Sequence, residues 1–396
     1  MQRPKVRFKG FTDDWEQRKL FDIYASIGNA FVGTATPYYV ESGHFYLESN
    51  NIKDGQINHN SEIFINDEFY EKQKDKWLHT GDMVMVQSGH VGHAAVIPEE
   101  LDNSAAHALI MFRHPKEKIE PYFLNYQYQT NKSKKKIEEI TTGNTIKHIL
   151  ASDMQEFVVD ITNYDEQKKI GSYFQKLDHL ITFHQRKCEQ TKKLKKYMLQ
   201  KMFPKEGQTV PEVRFEGFTD AWEKRKLGDI GSCQSGIGFP DAEQGGTEGI
   251  PFFKVSDMNL NGNEYELVYS NNYVTQEQIE RKKWKPITEV PAIFFAKVGA
   301  AVMLNRKRLV NTPFLLDNNT MAYKFGNDWD TNFGRTLFDT INLASLVQVG
   351  ALPSYNANDV ESIEIALPTI EEQKKIGEYF ANLDHLITLH QRKYKN

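Results

Sequence analysis

The sequence predicts an α+β chain of two globular α/β domains, separated by conserved helices, in a pseudo-two-fold internal repeat. Three observations carry this expectation. Two long segments recur at nearly one offset, the stretches between them diverge, and one repeated segment has the apolar spacing of a helix that packs along another helix.

The repeat comes first. VRFKGFTDDWEQRKLFDI (6–23) returns as VRFEGFTDAWEKRKLGDI (213–230); counted from Lys5 and Glu212, 14 of 19 positions are identical at an offset of 207. DEQKKIGSYFQKLDHLITFHQRK (165–187) returns as EEQKKIGEYFANLDHLITLHQRK (371–393), with 18 of 23 identical at an offset of 206. Such a period far exceeds the 20–50 residues of a solenoid unit and means duplicated domains. Between the blocks a faint register survives, Ser49, Gly55 and Trp77 matching Ser256, Gly262 and Trp284. Two similar frames with two dissimilar middles describe a scaffold carrying two different heads.

The second repeated segment reads as a helix. Thr369 and Glu372 form a capping pair after Pro368, and Asn163 with Glu166 takes the same parts in the first copy. Ile170, Phe174, Leu177, Ile181, His184 and Cys188 then alternate spacings of four and three, as do Ile376, Phe380, Leu383, Ile387, His390 and Tyr394. That is an a/d seam, the signature of helix-on-helix packing. The simpler alternative is an amphipathic helix lying on its own domain; preservation of one face in both copies favours the paired reading. Spanning Glu166 to Met202, the first helix would be about 55 Å long. Pro204, Lys205, Glu206, Gly207 and Pro211 mark a linker. The second copy reaches Asn396 without a counterpart of most of CEQTKKLKKYMLQKMFP, so either the sequence is truncated there or the final helix is short.

Inside the divergent regions, MVMVQSG (83–89), AAVIP (94–98), FVVDI (157–161), AIFFAKVG (292–299) and IEIAL (363–367) read as strands punctuated by Gly, Asn and Asp. Strand order is not legible. Net charge is −4, which by itself disfavours nucleic acid as a partner. The charge is uneven, however: Lys168 to Lys205 holds eleven Lys or Arg against Asp178 and Glu189, and distribution outweighs the sum. The start, MQRPKVRFKG, has no apolar signal region, no run is long enough to cross a membrane, and only Cys188 and Cys233 occur. A cytoplasmic location is expected.

With these motifs in view, the chain resembles the specificity subunits of type I restriction-modification systems. LPTIEEQKKIGEYFANLDHLI (367–387) and ITNYDEQKKIGSYFQKLDHLI (161–181) look like that family's strand, turn and EQ-rich helix start. WEQRKLFDI (15–23) and WEKRKLGDI (222–230) look like the approach to each recognition domain, and CQSGIGFPDAEQGGTEGIPFFKVSDMNLNG (233–262) like its Gly/Pro loop, strand and turn. The resemblance covers essentially the whole chain, the short C-terminus departing from it. It implies target-recognition domains at 1–160 and 207–366, and helices at 161–206 and 367–396 that form an antiparallel coiled coil acting as a spacer. It implies binding of double-stranded DNA, each domain reading half of an interrupted site, and recruitment of two methyltransferase (modification) subunits, which restriction subunits join. S-adenosylmethionine, ATP and Mg are then expected on the partner subunits, with no cofactor on this chain and no membrane partner.

Catalytic readings fare badly beside this. The sequence has no GxxxxGK[ST] loop, no Pro-Pro-aromatic motif and no convincing Gly-rich turn for S-adenosylmethionine. Glu280-Arg281-Lys282 has a nuclease-like spacing, which a solvated charge run explains as well, and His90 and His93 lack companions for a metal. The alternatives kept are a restriction endonuclease with duplicated recognition domains and a coiled-coil adaptor without DNA specificity. DNA-contact candidates are Lys132, Lys134, Lys135, Lys136, Asn144, Lys147 and His148 in the first head, and Arg281, Lys283, Lys297, Arg306 and Arg308 in the second. Trp77 and Trp284 are expected in cores.

Overall fold

Continuously apolar runs such as Met83–Val86 and Ala292–Ala296 belong to strands buried on both faces, because side chains alternate across a strand. The structure is a computed structural model that describes residues 4–347 and 352–395. It divides into two units, Met1–Ile181 and Thr182–Asn396, the division falling inside the long helix Tyr164–Lys201. Both units are mixed α and β, and the same frame is built in each.

In the first unit a four-stranded antiparallel sheet has the order Tyr24–Asn29, Leu109–Pro115, Met83–Val86, Ala94–Val96. Met83, Met85, Ile110 and Phe112 face one core, with Leu20, Phe123 and Phe157. Val84, Val86, Leu109 and Met111 face another, with Leu47 and Leu101. The second unit repeats the order with Gly231–Ser235, Thr320–Phe325, Ala292–Ala296 and Lys307–Val310. Ile293 and Phe295 enter its larger core, while Ala292 and Phe294 enter the smaller one. A smaller sheet accompanies each, and there Trp77 stacks on Tyr70 while Trp284 packs against Phe252, both half-buried against the core rather than inside it.

The repeated blocks meet in space. Glu16–Lys19 pairs antiparallel with Val158–Ile161, and Glu223–Lys226 pairs with Glu364–Leu367 in matching register. Every run read as a strand from the sequence contains one.

Each helix start is locked by the same set of bonds. Asn163 Oδ1 accepts from the Glu166 amide at 3.0 Å, and Thr369 Oγ1 accepts from the Glu372 amide at 3.4 Å. The expected reciprocal half of the capping box does not form. Instead, the Glu166 carboxylate takes a bidentate pair from Arg7 at 2.5 and 2.7 Å, and Glu372 takes one from Arg214 at 2.6 and 2.7 Å. A fork of donors from the other repeated block outcompetes a single backbone N–H. Burial alone would raise the Glu166 carboxyl, but Arg7 and Thr162 hold it below the usual carboxylate range.

Helix pairing is visible inside the second unit, where Thr182–Lys201 packs on Ile370–Lys395. His184 Nδ1 lies 3.0 Å from His390 Nδ1, Cys188 Sγ approaches the Ile387 carbonyl, and Lys195 binds Asp384 at 2.8 Å. Partners ascend on one helix as they descend on the other, so the two run antiparallel. Ile376, Phe380 and Leu383 are buried in a core shared with Met202, Phe203 and the head itself, and Ile387 is buried as well. The seam expectation is corrected over Ile170–Ile181. Ile170 packs on its own head, Leu177 is half-buried, and Phe174 and Ile181 are 42% and 38% exposed. In the first unit this stretch lies against the short helix Pro121–Tyr128, Phe174 meeting Tyr126 at 5.2 Å, while Tyr173 meets Phe8 at 5.7 Å. The side chain of Tyr394, and Asn396, lie outside the described residues.

Candidate nucleic-acid interface

In both units the loop after the third sheet strand meets a second loop from the region before the closing strand. In the first unit the Gly89 amide donates to the Lys147 carbonyl at 3.0 Å and the Ile149 amide to Gln87 at 2.9 Å. In the second, Gly299 donates to Pro353 at 2.8 Å and Tyr355 to Lys297 at 3.2 Å. The same two backbone bonds thus hold two different loop sets. Position by position, Gln87 answers to Lys297, Ser88 to Val298, His90 to Ala300, Lys147 to Pro353 and His148 to Ser354.

Glycine makes the first of these loops possible. Thr142 and His148 exchange backbone hydrogen bonds at 2.8 Å, closing a hairpin with Asn144–Lys147 exposed at its tip. Gly143 has φ +97°, and a Cβ there would lie 2.2 Å from the Ile146 carbonyl oxygen. Gly92 lets the neighbouring loop press on the helix Asn131–Ile140, where a Cβ would meet Ile137 at 2.7 Å.

The structure sorts the candidate cations. Lys134 and Lys147 border one open cavity of 320 Å³ with Gly92 and His93, and Lys135 is exposed on the same helix as Lys134. Asn144 and His148 are exposed on the adjoining hairpin. Of these, Lys134, Lys147 and His148 lie against the 87–93 loop. Lys132 and Lys136 do not join them: one pairs with Asp160, and the other donates to the Val158 carbonyl at 3.3 Å. Between His90 and His93, the latter accepts the Asp54 amide at 3.2 Å, and burial lowers its proton affinity.

The second set is more scattered. Arg281, with Lys282 beside it, pairs with the buried Glu243, so the nuclease-like triplet is a helix end tied to its own fold. Lys283 follows as the left-handed cap of that helix, φ +56°. Arg306 donates to Asn259 at 2.7 Å. Arg308 is half-buried, with Nε on the Asn263 carbonyl and Nη1 on the Lys307 carbonyl at 2.8 Å, and burial lowers its proton affinity. Lys297 and Arg306 lie at one end of the Ala292–Ala296/Lys307–Val310 pair. Sequence reasoning missed Gln87, Ser88, Val298 and the segment around Pro353. The available signal was a glycine closely following each fully apolar strand run, Gly89 and Gly299.

The family described as type I restriction modification DNA specificity domain matches this chain twice, over residues 12–193 and 219–396. The chain is similar to a Methanocaldococcus jannaschii protein named putative type I restriction enzyme MjaX specificity subunit, 25% identical over 407 residues, covering 97% of this chain and 90% of that relative. The MjaVIII specificity subunit of the same organism is 22% identical over 409 residues, covering 95% and 88%. In fold it is similar to the crystal structure of a type I restriction-modification S subunit from M. genitalium, with a TM-score of 0.65 at 14% identity over 100% of this chain and 95% of that one. A domain matched twice, on a frame built twice in the same way, places the protein in the type I restriction-modification DNA specificity family as a specificity subunit.

Proposed function

We propose that each unit reads one half of a bipartite, interrupted DNA site, with residues 1–160 and 207–366 as the reading heads and the helices 161–206 and 367–396 recruiting methyltransferase subunits. Restriction subunits join that assembly. The chain contributes recognition and no chemistry; S-adenosylmethionine, ATP and Mg belong to its partners. The reading rests above all on one observation: identical backbone bonds in both units present loops of different side chains, Gln87/Ser88/His148 in one and Lys297/Val298/Ser354 in the other. Base edges are discriminated by side-chain donors and acceptors, so a constant frame with exchanged loop residues is what two different half-sites require. Lys134, Lys135 and Lys147 beside the first loop set supply phosphate contacts despite the net charge of −4.

The test is binding by the chain assembled with its methyltransferase subunit to matched and scrambled duplexes at two salt concentrations. Tighter binding to the matched duplex at both salts is expected. Equal affinity for both duplexes at every salt would leave a coiled-coil adaptor instead.

A further inference from the structure

The two heads share one frame, and at one corner of it the second is hollow where the first is filled. Matching bonds set the equivalent positions. Gln167 accepts from the Glu120 amide at 3.0 Å and Gln373 from the Asp330 amide at 2.9 Å, so Asn125 and Gln129 answer to Arg335 and Asp339. With Gly89 answering to Gly299, Ala94 and Ala95, paired with Met85 and Val84, answer to Lys307 and Arg308, paired with Phe295 and Phe294. In the first unit Gly55 plugs the corner. It bridges to Ala95, its carbonyl accepts from Asn125 Nδ2 at 2.8 Å, and a Cβ on it would lie 2.1 Å from Gln129 Nε2.

In the second unit a Cβ on the matching Gly262 would meet the Tyr269 ring instead. The corner is left as a cavity of 190 Å³ bordered by Arg308, Arg335, Lys307, Tyr265, Glu264 and Asp339. Its charges are unevenly matched. Arg335 has Asp384 at 2.8 Å, and Asp339 has Lys195 at 3.3 Å. Lys307 is buried, yet its ammonium donates to two neutral oxygens, Asn305 Oδ1 and the Ile341 carbonyl. Arg308 likewise gives its hydrogen bonds to the Asn263 and Lys307 carbonyls. Among the described residues neither cation forms an ion pair, whereas buried charges are ordinarily paired. Burial pushes the Lys307 amine down to about 8 and lowers Arg308 too, with the like charges of Arg306 and Arg335 acting on Arg308 in the same direction.

We propose that this cavity binds one phosphate group, with the Arg308 and Arg335 guanidinium groups as its donors. The first unit shows what the corner holds, an oxygen that accepts from Asn125. Exchange of Asn125 and Ala95 for two arginines calls for oxygens that carry charge. A planar guanidinium fork matches phosphate oxygens in pairs, and each arginine keeps donors beyond those already bonded. Free phosphate and a phosphate of the DNA backbone share this chemistry. The second source rests on the DNA-reading role; the first does not.

The experiment titrates inorganic phosphate into the full-length chain by calorimetry, at ionic strength held constant with chloride. Phosphate stays dilute enough that its general exclusion from protein surface does not stabilise the fold. Saturable binding is expected. Arg335→Asn, which installs the first unit's residue, weakens it about tenfold or more through loss of a charged hydrogen bond. Arg308→Ala acts in the same direction, and circular dichroism checks that both variants are folded. Lys134→Ala, at the other cationic cavity, leaves it unchanged. If the DNA backbone supplies the group, free phosphate does not saturate the chain. Arg335→Asn then makes the log–log salt slope of DNA binding by the assembled complex shallower by about one, for matched and scrambled duplexes alike. Preference for the matched duplex, the measure of the DNA-reading role, is read separately in the same titrations. Phosphate binding that survives Arg335→Asn intact overturns the proposal, as does binding lost with Lys134→Ala. Absence of both saturation and a slope change overturns it too.

Discussion

Charge at single residues divides into what is locked and what is free to meet a partner. Glu372 is fully buried against Arg214, and removing one member of such a pair strands the other charge. Glu372→Ala should therefore cost about 3–5 kcal/mol, read from urea unfolding of the variant beside the parent chain. Arg308 presents a similar case among the candidates for base contact. Its fork is occupied by two backbone carbonyls, so Arg308→Ala should lower stability by about 1.5–3 kcal/mol and leave base preference alone. A changed methylation sequence with unchanged melting would reverse that assignment. Lys134 and Lys132 are near neighbours in sequence with opposite settings. Lys134→Ala should weaken binding to all DNA sequences alike and make the log–log salt slope shallower by about one, while Lys132→Ala, removing a cation paired with Asp160, should leave the slope unchanged. Equal slopes for the two variants would contradict this sorting.

Paired helices bring two histidines together and so acquire a pH response. Burial lowers the proton affinity of His390, and the neighbouring His184, Lys393 and Lys187 lower it further. A histidine with a folded value below the ordinary 6.5 sheds its proton on folding. The stability it contributes is complete above the ordinary 6.5 and is lost as pH falls from there through the lower folded value. Thermal unfolding should therefore show the helix pair less stable at about pH 5.5 than at about pH 7.5, and a His184→Leu/His390→Leu variant should lose most of that difference. Should the double variant keep the full pH response, the effect lies elsewhere. The seam spacing announced a helix, because a/d periodicity is a property of one helix. Which stretch of the first helix finds a partner is not. Phe174 and Phe380 occupy the same register in near-identical sequence, yet one is exposed and the other buried, because Phe203 and its helix lie over only the second.

At the scale of the whole molecule, a duplicated frame with exchanged loops predicts modular specificity. Replacing residues 24–150 by the corresponding stretch of another family member should change one half of the methylated sequence and leave the other as it was. Sequencing of methylated DNA from cells carrying the hybrid measures this directly. A change in both halves would mean that the heads do not read independently.

The sequence by itself determined the repeat, the two α/β heads, the strand runs inside them and the repeated helices. These follow from identity at a fixed offset and from local periodicity, both written along one chain. Only the tertiary structure decided how the repeated blocks are joined. Arg7 and Glu166 stand 159 residues apart, and nothing local marks them as a pair. The loop pairs were hidden for the same reason, since Gln87 meets Ile149, and Lys297 meets Tyr355, through backbone bonds that closure of the sheet creates. Clustering of lysines was legible; which lysines face inward was not. Lys132, Lys134 and Lys136 share one helix and one composition, and the packing of that helix beside Val158 and Asp160 alone separates the tethered cations from Lys134. Facing is set by what a helix lies against, a contact made by residues distant in the chain.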